Sequence, residues 1–368
     1  MDLLVQLILG NLSVIKSLQR SMWIDWLFVS VQKAFSILRV DSSISPKVYI
    51  IVAAMSVSPF ASARTYQLPT NQSNIIGESE SLSIEKTTTL SKIAIDQRIG
   101  FDTLFLANKQ FLSDSVVPGD KVKLPLEYIL PNVSHEGIVI NLPEQRLYYF
   151  HPDNKRVSIY PIGIGKSGWE TPEMTSAISE IRKRPTWTPP ASIRRAYIAA
   201  DIHLPASIPP GPNNPLGSYA MRLGSTNILV HGTSNPAGVG RRVSSGCIRL
   251  YEEDITELAS LVELGTPVQI VNQPIKWTRN DKGDFIEAHQ PLARLDSKDI
   301  TDSNHDAQKP DQHKHTLHHG FRVAESRGGL PARLQAERFA HDMLIKRALF
   351  TGLPQLVDTN IDTSISKP

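Results

Sequence analysis

The chain has 368 residues, 40% hydrophobic and 20% charged, and 39 Lys and Arg stand against 36 Asp and Glu for a net charge of +3. That length holds two compact domains and tails, and the composition excludes a collagen, a disordered acidic chain and a multi-span membrane protein. So small a charge gives no argument for a nucleic-acid partner, and slight basicity serves solubility as readily as attraction to an anionic polymer.

Cysteine is more informative. The one cysteine, Cys247, excludes an internal disulfide and cannot form a zinc cluster by itself. On count alone it reads as a buried, inert thiol.

Residues 1–63 read as an address rather than a fold. Residues 48–57 are a short apolar run, with Arg39 and Lys47 before it and Ala61-Ser62-Ala63 after it. This is the n-region, h-region and small-residue site of a secretory signal peptide, with cleavage expected after Ala63. The run is too short for a comfortable membrane span, but an uncleaved anchor is the competing reading and a buried strand a weaker one. The n-region is long for a start at Met1, and residues 23–29 hold a second apolar stretch. Either translation starts further on or a second membrane-associating helix precedes the signal.

Residues 64–130 read as a small α+β module. A polar stretch over 70–89 leads to Leu90, Ile93 and Ala94 at helical spacing, then Ile99 and a second periodic segment over 104–108. Val116 to Pro125 reads as a turn and a strand, so the order is strand, helix, helix, strand. With Ala107-Asn108 and Pro118-Gly119, the unit resembles a LysM module, which implies glycan binding; a structural spacer is the equal alternative. So short a chain buries little apolar surface and is expected to lean on its neighbour.

Residues 135–272 read as a mainly β domain. Apolar, β-branched segments over 137–142, 145–150 and 157–162 are separated by turn residues. Pro and Gly crowd residues 185–217, which read as long loops over a site. Residues 254–262 read as a helix with Asp254 as N-cap and Gly265 as stop, and residues 267–271 return to strand. Residues 273–368 read as an extension: a polar linker with His305, His313, His315, His318 and His319, then a last helix over 332–350. A metal site in that linker is conceivable, but no framework of spaced ligands supports it.

The chemistry sits in His231-Gly232-Thr233 and Ser245-Gly246-Cys247-Ile248-Arg249-Leu250. His231 ends the apolar strand of Ile228, Leu229 and Val230. A thiol is a weak nucleophile and a thiolate a potent one. An imidazole can take the thiol proton, hold the thiolate as an ion pair and later protonate a leaving amine. Gly246 permits a tight turn, and backbone N–H groups of Ser245, Gly246 and Cys247 are candidate oxyanion donors. Arg249, two residues past Cys247, shares its side of an extended strand and can pair with a substrate carboxylate.

These segments resemble the signature of the YkuD-type L,D-transpeptidases. Thr65 to Pro69, Gly168 to Pro172, Pro185 to Pro189, Pro209 to Gly217 and Gly265 to Val268 resemble further blocks of that family, so the likeness runs from about Thr65 to Leu292. Many members have His where Ser245 stands, and many have Gly where Met174 stands. The resemblance implies a YkuD-like β-sandwich with Cys247 as nucleophile and His231 as general acid/base. It makes the Gly232 carbonyl the orienting partner and Arg249 and Tyr219 substrate contacts. It also implies peptidoglycan tetrapeptide stems as substrate, D-Ala as leaving group and no metal or organic cofactor. The acceptor is then an amine of another stem, giving a 3→3 cross-link, or the C-terminal Lys of an outer-membrane lipoprotein. Carbapenems become expected inhibitors and the periplasm the expected location. Two alternatives stand beside this reading, a cysteine hydrolase that trims stems with water and a non-catalytic wall-binding protein.

Overall fold

A computed structural model describes residues 64–70, 73–292, 351 and 353–356. The chain divides into two compact units, residues 1–60 and 61–368, and every described residue belongs to the second. The expected signal segment, the His-rich linker and the helix over 332–350 lie outside the described residues.

The N-terminal elements are β1 (Arg64–Gln67), β2 (Ile75–Gly77), β3 (Glu80–Ser83), β4 (Thr88–Thr89), α1 (Leu90–Asp96), α2 (Phe101–Leu106), β5 (Ser115–Val116), β6 (Lys121–Leu124) and β7 (Glu127–Ile129). β3 pairs antiparallel with β6, so the order around the two helices is strand, helix, helix, strand. Thr89 caps α1 by accepting the Lys92 N–H, a favourable N-cap. α2 begins three residues earlier than its periodicity suggests, directly after Gly100. Leu90, Ile93, Leu104, Val116 and Val122 form the module's own small core. Asn108 is buried within it and bonds Leu104 and Lys123, tying α2 to β6.

The larger body contains β8 (Gly137–Asn141), β9 (Arg146–Phe150), β10 (Arg156–Pro161), β11 (Ile164–Gly165), β12 (Met174–Lys183), α3 (Ala191–Ile198), β13 (Tyr219–Leu223), β14 (Leu229–His231), β15 (Arg242–Ser244), β16 (Ile248–Arg249), α4 (Glu252–Leu261), β17 (Pro267–Val271), β18 (Ile275–Asn280) and β19 (Gly283–Ala288), with β20 (Gln355–Leu356) closing a three-stranded sheet. The fold is mainly β, with few helices. Its centre is one continuous sheet in the order β1-β10-β9-β8-β17-β12-β13-β14-β16.

That sheet curls over itself at β12. The first half of β12 pairs with β17 and the second half with β13, and the register shifts between Ile178 and Glu180 where the partner changes. A long strand that changes partner at a bulge makes a sandwich corner. Ile138, Ile140 and Leu147 from one limb thus meet Met221, Val230 and Ile248 from the other, with Ile255 and Leu258 of α4 alongside. The alternate residues Val139, Tyr148, Phe150 and Val157 fill a second core with Ile76 and Tyr128. Burial on both faces explains why β8 to β10 are mostly apolar rather than cleanly alternating.

Three expectations change. Residues 185–217 are not all loop, because they include α3, none of whose residues is buried. α4 starts at Glu252, after Tyr251 rather than Asp254. Asp254 instead turns inward and pairs with Arg98 of the N-terminal module. The strands over 275–288 belong to the packed body, since Lys276, Thr278, Asp284 and Glu287 are all buried. Their charged inward positions conceal the apolar alternation by which strands are read.

Candidate active site

The curl brings β13, β14 and β16 together at one edge of the sheet. β14 and β16 run parallel, with Val230 beside Ile248 and His231 beside Arg249. Cys247 immediately precedes β16, which puts it beside the start of β14. On the other side, Ala220 of β13 faces His231. The 16 positions from His231 to Cys247 are spanned by a loop that runs out through Pro236–Gly238 and back along β15.

The turn before Cys247 is braced from two directions. Gly246 has φ +101°, a backbone conformation that favours glycine. Its N–H donates to Ser244 Oγ at 3.2 Å, and that hydroxyl donates to the Cys247 carbonyl at 2.5 Å. Its carbonyl accepts from Thr171 Oγ1 at 2.9 Å, and Thr171 Oγ1 accepts the Gly165 N–H at 3.0 Å. Thr171 and Ser244 went unassigned in the sequence. The usable signal is that short hydroxyl side chains bond the backbone of nearby turns. Because Ser244 engages the Gly246 N–H, that donor is committed, and Ser245 lies exposed at the tip.

His231 is buried, and its Nδ1 donates to the Gly232 carbonyl at 2.6 Å. This bond fixes the tautomer and leaves Nε2 unprotonated, as a base requires. The Gly232 N–H in turn donates to the Tyr219 carbonyl at 3.1 Å. Tyr219 therefore meets this region through its backbone, while its half-buried ring lies 5.9 Å from Lys183 Nζ.

Electrostatics join the three reactive types. Burial first and the Arg249 charge second push His231 down to about 4, against the Gly232 hydrogen bond. Burial pushes the Cys247 thiol up, against a Leu229 backbone hydrogen bond and the Arg249 and Arg222 charges. The thiol itself donates to the Asn227 carbonyl at 3.8 Å. Both shifts favour the neutral thiol and neutral imidazole over a resting ion pair. Arg249 makes no ion pair among the described residues, and its buried Nε has no hydrogen-bond partner there. Tyr197 of α3 acts electrostatically on the same guanidinium, although no residue of that helix is buried. Nothing in the helix's periodicity pointed to this interaction.

A metal is a poor fit at the one candidate cluster among the described residues, Glu144, Glu287 and His289. Arg146 and Lys276 already pair with these carboxylates, so no negative charge is left for a cation.

A curled, mainly β sheet with a thiol, an imidazole and an unpaired guanidinium gathered at one edge defines the class, a protein equipped for acyl transfer. Residues 135–270 match the family model described as the L,D-transpeptidase catalytic domain. The chain is 43% identical over 253 residues to the probable L,D-transpeptidase YcfS of Escherichia coli (strain K12), a match covering 67% of this chain and 78% of that one. It is 39% identical over 248 residues to the probable L,D-transpeptidase ErfK/SrfK of the same strain, covering 66% and 79%. It is also 39% identical over 258 residues to the probable L,D-transpeptidase YbiS of that strain, covering 68% and 83%. The chain belongs to the L,D-transpeptidase family, and with it to the acyltransferases.

Proposed function

We propose that this protein transfers peptidoglycan stem peptides through a thioester on Cys247. The observation that carries the reading is the parallel pairing of β14 and β16, which sets His231 next to the strand that Cys247 opens. Nε2 of His231 takes the thiol proton as sulfur attacks the carbonyl that links a stem's diamino acid to D-Ala. The same imidazole then gives that proton to the departing D-Ala amine. Pairing proton removal with attack suits two groups that rest uncharged. The amide hydrogens of Ser245 and Cys247 receive the oxyanion, and Arg249 pairs with a substrate carboxylate. An amine resolves the thioester, either from a second stem to give a 3→3 cross-link or from the C-terminal Lys of an outer-membrane lipoprotein. No cofactor enters the scheme.

The protein is exported to the periplasm by its N-terminal segment, and the module over 64–130 holds wall glycan. A carbapenem acylates Cys247, because a strained lactam meets the same thiol. These readings rest on the sequence resemblance and on family membership.

The test is muropeptide analysis of wall material incubated with the purified protein, with and without a Lys-terminated lipoprotein peptide. Intact-mass spectra of wild type and Cys247→Ala accompany it. Cross-linked or peptide-bearing muropeptides and an adduct confined to wild type are the expected result. Tripeptide products alone, whatever amine is added, convert the reading to a hydrolase. Wall binding with no adduct and no product removes the enzyme.

A further inference from the structure

We propose that the groove beside the His231 loop is the subsite for the amine acceptor, and that Arg184 recognises a carboxylate on that acceptor. The proposal deepens the thioester reading above and rests on it. The groove has a volume of about 300 Å³ and is lined by Arg184, Pro210, Pro212, Ser218, Thr233 and Glu252, among others. That is the lower end of the range for small-ligand sites.

Its place in the fold suits an acceptor. Register sets Cys247 beside Leu229, since Val230 faces Ile248. His231 lies two residues further along β14, and Thr233, in the groove wall, two residues beyond that. The first of these steps is roughly 7 Å along an extended strand, and the chain leaves β14 after His231 to enter the groove wall. His231 thus stands between the sulfur and the groove, where a base must stand to relieve an incoming amine of its proton.

The groove is also built rather than incidental. Arg184 has φ +50°, uncommon for a residue with a side chain. Its N–H donates to the Ser218 carbonyl at 2.7 Å. The Ser218 N–H donates to Glu252 Oε2 at 2.9 Å, and the Thr233 N–H to Glu252 Oε1 at 2.6 Å. Arg184, Ser218, Glu252 and Thr233 therefore form one bonded chain that ends next to Gly232. Both Glu252 oxygens are spent on this chain. The exposed Arg184 guanidinium makes no ion pair among the described residues. It is the charge left for a ligand. Asn214, fully buried, donates to the Pro185, Ile208 and Pro209 carbonyls and fixes the proline wall opposite.

A guanidinium favours a carboxylate in bidentate geometry. The ligand is an amine that carries a carboxylate on the same residue. A stem diamino acid with a carboxylate beside its amine has this chemistry, and so does a C-terminal Lys. In the transfer step the amine nitrogen attacks the thioester carbonyl, a C–N bond forms and the C–S bond breaks. The amine proton passes through His231 Nε2 to the departing sulfur.

The experiment uses the full chain and a tetrapeptide donor. Three acceptors are compared: a Lys-terminated peptide, the same peptide as its C-terminal amide, and a diamino-acid stem. Wild type should favour the free acid over the amide, and Arg184→Ala should erase that preference by raising KM for the acid about tenfold. Arg184→Lys should restore part of it. The arm most sensitive to Arg184 identifies which acceptor source the groove serves. An acid-to-amide preference identical in wild type and Arg184→Ala overturns the subsite. Donor acylation is read separately by intact mass, and its absence from wild type overturns the thioester reading and the subsite with it.

Discussion

Glu252 accepts the Thr233 N–H with one carboxylate oxygen, at 2.6 Å, directly after the segment that orients the candidate base. Its other oxygen holds Ser218, next to Tyr219. The carboxylate fills the space a side chain at Gly217 or Gly232 would need, which is why both positions are glycine. Glu252 thus positions the Gly232 carbonyl, and through it His231. Glu252→Ala should lower kcat by about 100-fold, the scale of a small misplacement at a reacting centre. Glu252→Gln keeps one acceptor oxygen and should recover much of the rate. The discriminating measurement is the pH profile. Release of the imidazole moves its acid limb upward, whereas loss of packing alone lowers the amplitude and leaves the limb in place.

The protonation of His231 predicts how stability follows pH. An unfolded histidine titrates at about 6.5, and burial lowers the folded His231 to about 4. Between these values the unfolded chain binds more protons, so stability falls as pH drops through that window. The difference is on the order of 3 kcal/mol. Denaturant melts of wild type and His231→Asn across the window should converge at low pH, because the variant lacks this titration. Parallel curves would show that His231 titrates normally. Above neutrality the raised thiol predicts alkylation of Cys247 by iodoacetamide that keeps accelerating past the ordinary thiol range.

Arg98 and Asp254 form a nearly buried ion pair between the N-terminal module and α4. Around it Tyr251 donates to the Ile99 carbonyl at 3.1 Å, and the Asp102 N–H donates to the Gly240 carbonyl at 3.2 Å. Gly240 belongs to the loop between His231 and Cys247, so the module seats part of the candidate active site. Arg98→Met strands a buried carboxylate and should cost about 3–5 kcal/mol. The double variant Arg98→Met, Asp254→Leu should recover most of that. Thermal melts of the three proteins measure the cycle, and additive losses would refute the pairing.

Residues 275–288 contribute two members of a second buried network. Glu287 accepts the Ile129 N–H at 2.7 Å and pairs with Arg146 at 2.6 Å and Lys276 at 3.0 Å. Burial alone would raise the Glu287 carboxyl, but Lys276 and Arg146 hold it well below the usual carboxylate range. Lys276→Met should destabilise the protein by about 3–5 kcal/mol. Truncation after Val271 should do the same or worse, although it spares every residue matched by the catalytic-domain model. A truncated protein as stable as the full chain would make the hairpin dispensable.

Much of this was legible in the chain. Short apolar segments divided by turn residues announce a mainly β body, and β8 to β10 fall close to where the pattern puts them. The strand, helix, helix, strand order of the module follows from the spacing of Leu90, Ile93 and Leu104. What escaped had weak or misleading local signals. α3 buries no residue, so no apolar face marks it. Asp254 looks like a helix cap because its type is common there, yet its carboxylate is spent on an arginine far away in sequence.

The linear order of residues determined which reactive types are present and how they cluster, with a histidine ending one apolar strand and a cysteine opening another behind a glycine turn. Those features are local, since strand patterning and turn chemistry act over a few residues. The tertiary structure alone decided that the two strands lie side by side, that Arg249 acts on both groups, and that both rest uncharged. It also chose Thr171, Ser244 and Glu252 as braces. Strand pairing joins segments distant in sequence, and burial, which sets these protonation states, exists only after the sheet has curled.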